Sequence, residues 1–230
     1  MSSFLTFVYI FYIGSSLGWV LELFFRRIVH KKWINPGFLV GPYLPIYGFG
    51  LCALTYSFFL FYNSTLSPFF IIILMGTLMT IIELIGGLIF QKEGIKLWDY
   101  SDRFANYKGI ICPLFSFIWT VLGGVYYYFI APRMVRALEW FSNNLSFSFI
   151  LGIFFGIIII DFIYSTNLLV KIRNFAKDND IEVKYEEFKS YIKKQQLERK
   201  EKYSFIFAFR QTNPLHEYLK KYKKATRKRK

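Results

Sequence analysis

Five long apolar runs constrain this chain more than any other feature. They cover residues 4–25, 45–62, 69–90, 111–131 and 147–170. A helix that crosses a bilayer needs about 20 mostly apolar residues, because every backbone polar group must be satisfied inside the segment. Five such runs within 230 residues leave little chain for a water-soluble fold. Charged residues make up 19% of the chain, below the roughly 25% of a soluble domain. The runs therefore predict an all-α integral membrane bundle of five transmembrane helices over residues 1–170. A basic helical tail is expected over residues 171–230. The first run carries Glu22 near its end and no basic residue ahead of its apolar core, so it reads as a retained helix rather than a cleaved signal.

Charge is segregated along the chain. Net charge is +3 up to Val170 and +11 beyond it, out of +14 in total. Lys and Arg resist translocation and collect on the cytoplasmic side of a membrane. Arg26, Arg27, Lys31 and Lys32 follow the first run, and Lys92, Lys96, Arg103 and Lys108 follow the third. The whole tail follows the fifth, whereas Arg133 and Arg136 alone follow the fourth. This asymmetry predicts a multi-pass protein of the cell membrane with its N-terminus outside and its C-terminus in the cytoplasm.

Three acids fall inside the runs: Glu22, Glu83 and Asp161. Counted back from the cytoplasmic ends, they lie at depths of roughly 5, 11 and 14 Å, at 1.5 Å per residue. An acid at mid-membrane is costly, so each needs a partner on another helix, a proton or water. Glu22 is placed to pair with Arg26 one turn on. All three would reach a single inward-facing polar site.

Two connecting segments are unusual. Residues 35–50 hold three prolines and four glycines yet stay apolar. Asn35, Gly37, Gly41, Pro42, Pro45, Tyr47, Gly48 and Gly50 would shape this backbone. Prolines remove donors, and glycines allow tight turns and close approach. A re-entrant or broken segment before the second helix fits, and a tight hairpin with a Pro-started helix is the simpler alternative. Residues 98–109 bring Asp99, Ser101, Arg103 and Asn106 to the same side. At helical spacing Asp99 and Arg103 would pair.

Several classes of function find no support in the sequence. There is no phosphate-binding Gly-Lys-Ser/Thr loop, no His-Glu-x-x-His and no Gly-x-Ser-x-Gly. Cys52, Cys112, His30 and His216 are too scattered for a metal site, and no cofactor is implied. The terminal basic cluster, 220–230, lacks a nucleic-acid-binding module and suits anionic lipid headgroups better.

The motifs Ser15-x-x-Gly18-Trp19-x-x-Glu22, Asn35-x-Gly37-Phe38-Leu39-x-Gly41-Pro42-x-x-Pro45-Ile46-Tyr47-Gly48-x-Gly50, Thr80-x-x-Glu83, Trp98-Asp99-Tyr100-Ser101, Asn106-x-x-Gly109 and Ser116-x-x-Trp119 follow one another in this order. Over residues 10 to 170 the chain resembles a bacterial membrane family named "putative ABC-transporter type IV". The resemblance implies a transporter permease component. It departs from the family pattern at Ile110, where an Arg is usual, at Pro113, where a Leu is usual, and at Thr120, where a Gly is usual. The missing Arg removes a partner for a buried acid, a role left to Lys108 or Arg103.

Three functions remain open on the sequence. A permease would need a second copy of the chain or a separate ATPase subunit. A membrane enzyme acting on a lipid or lipid-linked substrate would use Glu83, Asp99 and Asp161 in acid–base or metal-ligand roles. A non-catalytic scaffold would use the polar motifs for assembly alone.

Overall fold

A computed structural model describes residues 2–31, 35–92, 94–178 and 183–202. The described residues are mostly helical. Its elements are α1 (Ser3–His30), α2 (Pro45–Phe61), α3 (Pro68–Lys92), β1 (Ile95–Lys96), α4 (Pro113–Val125), α5 (Ala131–Asn143), α6 (Ser148–Asp178), β2 (Val183–Lys184) and α7 (Tyr185–Lys202). A π-helical turn, Tyr126–Ile130, joins α4 to α5.

Among the described residues four helical stretches are long and apolar enough to cross a membrane: Ser3–Ile28, Pro68–Lys92, Pro113–Asn143 and Leu145–Phe175. The chain is thus a multi-pass membrane protein. The fifth expected span, α2, is apolar but only 17 residues long. At 1.5 Å per residue it measures roughly 25 Å, short of the ~30 Å hydrocarbon core.

Helices adjacent in sequence pack side by side. α1 lies along α2, α2 along α3, and α3 along α4, while α6 returns to α1. Small residues make these close approaches possible. At Gly48 a β-carbon would stand 2.3 Å from Ser15 Oγ, so the α1–α2 crossing admits no side chain there. The cores between the helices are apolar. One gathers Ile10, Phe11, Cys52, Met134 and Ile158, and another gathers Leu54, Phe58, Ile71, Met75 and Tyr126.

The segment between α1 and α2 does not stay at the end of the bundle. The Leu44 amide donates to the Ser15 carbonyl at 2.9 Å. Ser15 is fifteen residues before the end of α1, or roughly 22 Å along its axis. The chain therefore runs back beside α1 before α2 begins.

The region after the fourth run is helical rather than a loop. Pro132 has no N–H to continue the α-helical ladder. The chain passes this point through the π turn, and the Arg133 guanidinium donates to the Phe129 carbonyl. Beyond it, Ala131, Met134, Leu138 and Phe141 repeat at helical spacing and are buried.

The described part of the tail holds the expected charged helix, α7, but does not stand apart from the bundle. Residues 171–178 continue α6, and β2 and α7 pack back on the bundle. β2 runs parallel to β1, pairing Ile95 with Val183 and Lys96 with Lys184. Tyr185 and Phe188 are buried against Ile95, Leu169, Ile172 and Phe175. Each such burial is worth about 1.5–3 kcal/mol, which outweighs the pull of solvent on a charged helix with two aromatic residues on one face. The terminal basic cluster lies outside the described residues.

Candidate functional site

The acids separate into two clusters rather than meeting at one point. The first joins α1, α2, α3 and α4. Glu83, on α3, is only 5% exposed. Its two oxygens accept from the Tyr100 hydroxyl at 3.0 Å and from Trp119 Nε1 at 2.9 Å. Trp119 is brought there by α4, and Tyr100 by the segment that follows β1. Glu22 accepts from the Tyr47 hydroxyl at 2.9 Å and pairs with Arg26 at 3.0 Å. The ring of Tyr47 meets that of Trp119 edge to face, 6.2 Å between centroids, which links the two halves. Ser15 borders this region, and its buried hydroxyl has no hydrogen-bond partner.

The second cluster centres on Asp161 of α6. One carboxylate oxygen accepts from the Val40 amide at 3.1 Å and from the Ser165 hydroxyl at 2.8 Å. The other accepts from the Gly41 amide and the Tyr43 hydroxyl, both at 2.7 Å. Four donors, two of them backbone, converge on one carboxylate. Such charge-assisted bonds are about twice as strong as neutral ones.

Asn35 shapes the segment that Asp161 grips. Its side-chain oxygen accepts from Trp19 Nε1 at 2.5 Å. Its side-chain nitrogen donates to the carbonyls of Leu39 and Val40 at 3.0 and 2.8 Å. Gly37 adopts φ +72°, a conformation that favours glycine. Pro42 and Pro45 flank the hinge at Leu44, and Pro45 opens α2 at its first turn, where the lost donor costs nothing. Gly50 admits the Met79 side chain, whose Cε would lie 2.7 Å from an added β-carbon.

The segment before α4 is a compact turn, not a helix. Asn106 Nδ2 donates to the carbonyls of Ser101 and Arg103, and its Oδ1 accepts from the Gly109 amide. Asp99 accepts from the Ser101 amide and hydroxyl and pairs with Lys184 at 3.0 Å and Lys96 at 3.9 Å. Burial pushes the Asp99 carboxyl up, but Ser101, Lys184 and Lys96 outweigh it and bring it to about 2. The expected Asp99–Arg103 pair is not formed. It needed helical spacing, and the turn instead directs the Arg103 amide to the Tyr100 carbonyl.

The compensation expected for the missing Arg at 110 is likewise absent. Neither Lys108 nor Arg103 pairs with a buried acid. Ile110 packs against Gly87, where it would stand 2.2 Å from an added β-carbon, and its carbonyl accepts from Trp98 Nε1 at 2.9 Å. Glu83 is met by neutral donors instead. Thr120 is seated against Gly76. Among the described residues no group of His, Cys, Asp and Glu could hold a metal ion.

The sequence places Glu22, Glu83 and Asp161 in their helices but not most of what they touch. Tyr100, Trp119, Trp19, Tyr43 and Ser165 all bond to residues it singled out. Ser165, four residues after Asp161 on the same helix, was findable by spacing. Trp19, Tyr100 and Trp119 stand within the family motifs, but their partners do not follow from them, because those partners lie on other elements.

No curated protein and no solved structure matches the chain. The model of the family described as "Putative ABC-transporter type IV" matches residues 9–166, well over half of the chain. That match spans α1 through most of α6 and includes both acid clusters. The protein is a multi-pass membrane protein that belongs to this "Putative ABC-transporter type IV" family.

Proposed function

We propose that the chain is the permease component of a membrane transporter, with a polar site that opens toward the cytoplasm. One observation carries this reading. Non-helical backbone beside the middle of α1 donates two amides to Asp161, an acid within an apolar helix. Backbone of this kind is tolerated at membrane depth only where it is buried in protein or lines a water-filled cavity. Transporters use such interrupted helices to hold substrates and coupling ions.

In this reading residues 35–44 are a re-entrant approach to α2, and together they complete a fifth crossing. The basic residues after α1 and α3 then face the cytoplasm with α7, and the N-terminus lies outside. Glu22, Glu83, Asp99, Ser101, Arg103, Asn106 and Asp161 all fall toward the inner half. The chain has no nucleotide-binding loop of its own, so hydrolysis belongs to a separate ATPase subunit, a partner compatible with the family. A second copy of the chain would complete the pathway, and the basic tail would meet anionic headgroups. The lipid-enzyme reading has less to recommend it, since Asp99 is already engaged by Ser101 and Lys184.

The test is affinity purification of the tagged chain from native membranes, followed by reconstitution. A co-purifying ATPase whose turnover is stimulated by the chain is expected, with stimulation abolished by Asp161→Asn. Absence of any ATPase, together with vesicles that show no coupled flux, would overturn the proposal.

A further inference from the structure

Residues 35–41 are held from two opposite sides. On one side α7 donates to their carbonyls. The Lys189 ammonium bonds to the Asn35 carbonyl at 3.1 Å and to the Gly37 carbonyl, and the Tyr185 hydroxyl bonds to the Phe38 carbonyl at 3.4 Å. On the other side Asp161 accepts from the amides of Val40 and Gly41. A cation thus sits on the carbonyl side of the segment and an anion on its amide side. Peptide dipoles favour this arrangement at both ends.

α7 reaches this position through three further anchors. β2 pairs with β1, Lys184 pairs with Asp99, and Tyr185 and Phe188 are buried. The Lys189 ammonium also lies 4.8 Å from the centre of the Tyr185 ring. On the rest of the helix Glu187, Lys193 and Lys194 are exposed. Tyr185, Phe188 and Lys189 hold α7 in place, and residues 179–184 join it to α6.

We propose that α7 is a strap latched over the segment between α1 and α2, with Lys189 as the latch. While it is latched, the carbonyls of Asn35, Gly37 and Phe38 are covered and the segment is fixed against Asp161. When it lifts, those carbonyls are uncovered and residues 35–41 are free to rearrange. Lys189 is a positioning residue, acting through the backbone it holds. The proposal takes from the transport reading that this segment lines the pathway, and it adds how the pathway is shut.

Hydrogen exchange of the full-length chain in lipid nanodiscs tests it. The Val40 and Gly41 amides are the reporters, because they face Asp161 and touch no atom of Lys189. Lys189→Met is expected to speed their exchange about tenfold, since local opening sets the rate. Lys189→Arg, which can still donate to the carbonyls, is expected to stay within about threefold of the native chain. Lys194→Met, an exposed site on the same helix, is expected to change nothing. Native-like exchange at Val40 and Gly41 in Lys189→Met would overturn the latch. Should that variant loosen the whole bundle, Tyr185→Phe removes one donor and keeps the ring. It is expected to give an increase of about threefold confined to residues 35–44, and no increase there would also overturn the proposal. The readout is segment order rather than flux. A failed transport assay therefore leaves the strap standing, and a failed strap leaves the transport reading standing.

Discussion

Glu83 and Asp161 both lie inside apolar helices, yet they are accommodated in different ways. Glu83 is sealed between two aromatic side chains, Tyr100 and Trp119. Asp161 holds backbone, binding the amides of Val40 and Gly41 with help from Tyr43 and Ser165. The difference lies in what each set of partners can do. A tyrosine hydroxyl can donate or accept, whereas a backbone amide can only donate. The site around Glu83 therefore tolerates more than one arrangement of protons, and the site around Asp161 accepts only an all-acceptor group.

Isosteric amides test that contrast most directly. In Asp161→Asn, either orientation turns the new NH2 against a backbone N–H that cannot accept from it. A loss of about 3 kcal/mol is expected, the scale of hydrogen bonds to a charged group together with one unsatisfied donor. Unfolding in mixed micelles would measure it, and a midpoint unchanged from the native chain would remove the distinction. Trp119→Phe comes next. It keeps an aromatic ring and leaves one oxygen of a buried carboxyl without its donor, at a cost of about 1–2 kcal/mol in the same assay. Loss of less than Glu83→Gln would show that the indole bond is not what holds Glu83.

A pH dependence separates the spans from the strap. Asp99 is held at about 2, below the 3.8 of an ordinary aspartate. Its contribution is complete above pH 3.8 and is lost as pH falls through about 2. Lys184 is raised above 10.5 by its hydrogen bond to Asp99, so its share is complete below that value and is lost as pH rises further. The advantage of the native chain over Asp99→Asn, about 0.5–1 kcal/mol, is expected to vanish between pH 4 and pH 2. An advantage that persists at pH 2 would place the stabilisation elsewhere. The smallest effect is Glu83→Gln. Its oxygen can face Trp119 while its NH2 donates to the Tyr100 hydroxyl, so stability is expected to stay within ~0.5 kcal/mol. A larger loss would mean that the negative charge itself is required, and would bring Glu83 closer to Asp161 in kind.

How much of this was legible beforehand differs from feature to feature. The apolar helices were readable because membrane insertion depends on a local sum over about 20 residues. The extension of α1 to His30 and of α6 to Asp178 was not, since both run beyond their apolar cores into polar sequence. α5 does not show among the apolar runs, because Pro132, Arg133 and Arg136 interrupt them, although its inner face keeps helical spacing. The Glu22–Arg26 pair was foreseeable from a separation of one turn. The Asp99–Arg103 pair had the same separation and failed, because the chain between them is a turn built by Asn106.

By itself the sequence determined that this is a helical membrane protein and that three acids lie within its apolar runs. It also carried the family motifs across residues 9–166. Those properties depend on short stretches of chain and are summed residue by residue. The tertiary structure alone decided that the acids form two clusters, that Asp161 caps a segment about 120 positions away, and that Lys189 meets the same segment from the other side. A hydrogen bond depends on which elements cross and at what height, and a glycine at one crossing or a proline at one turn sets that height for every side chain beyond it.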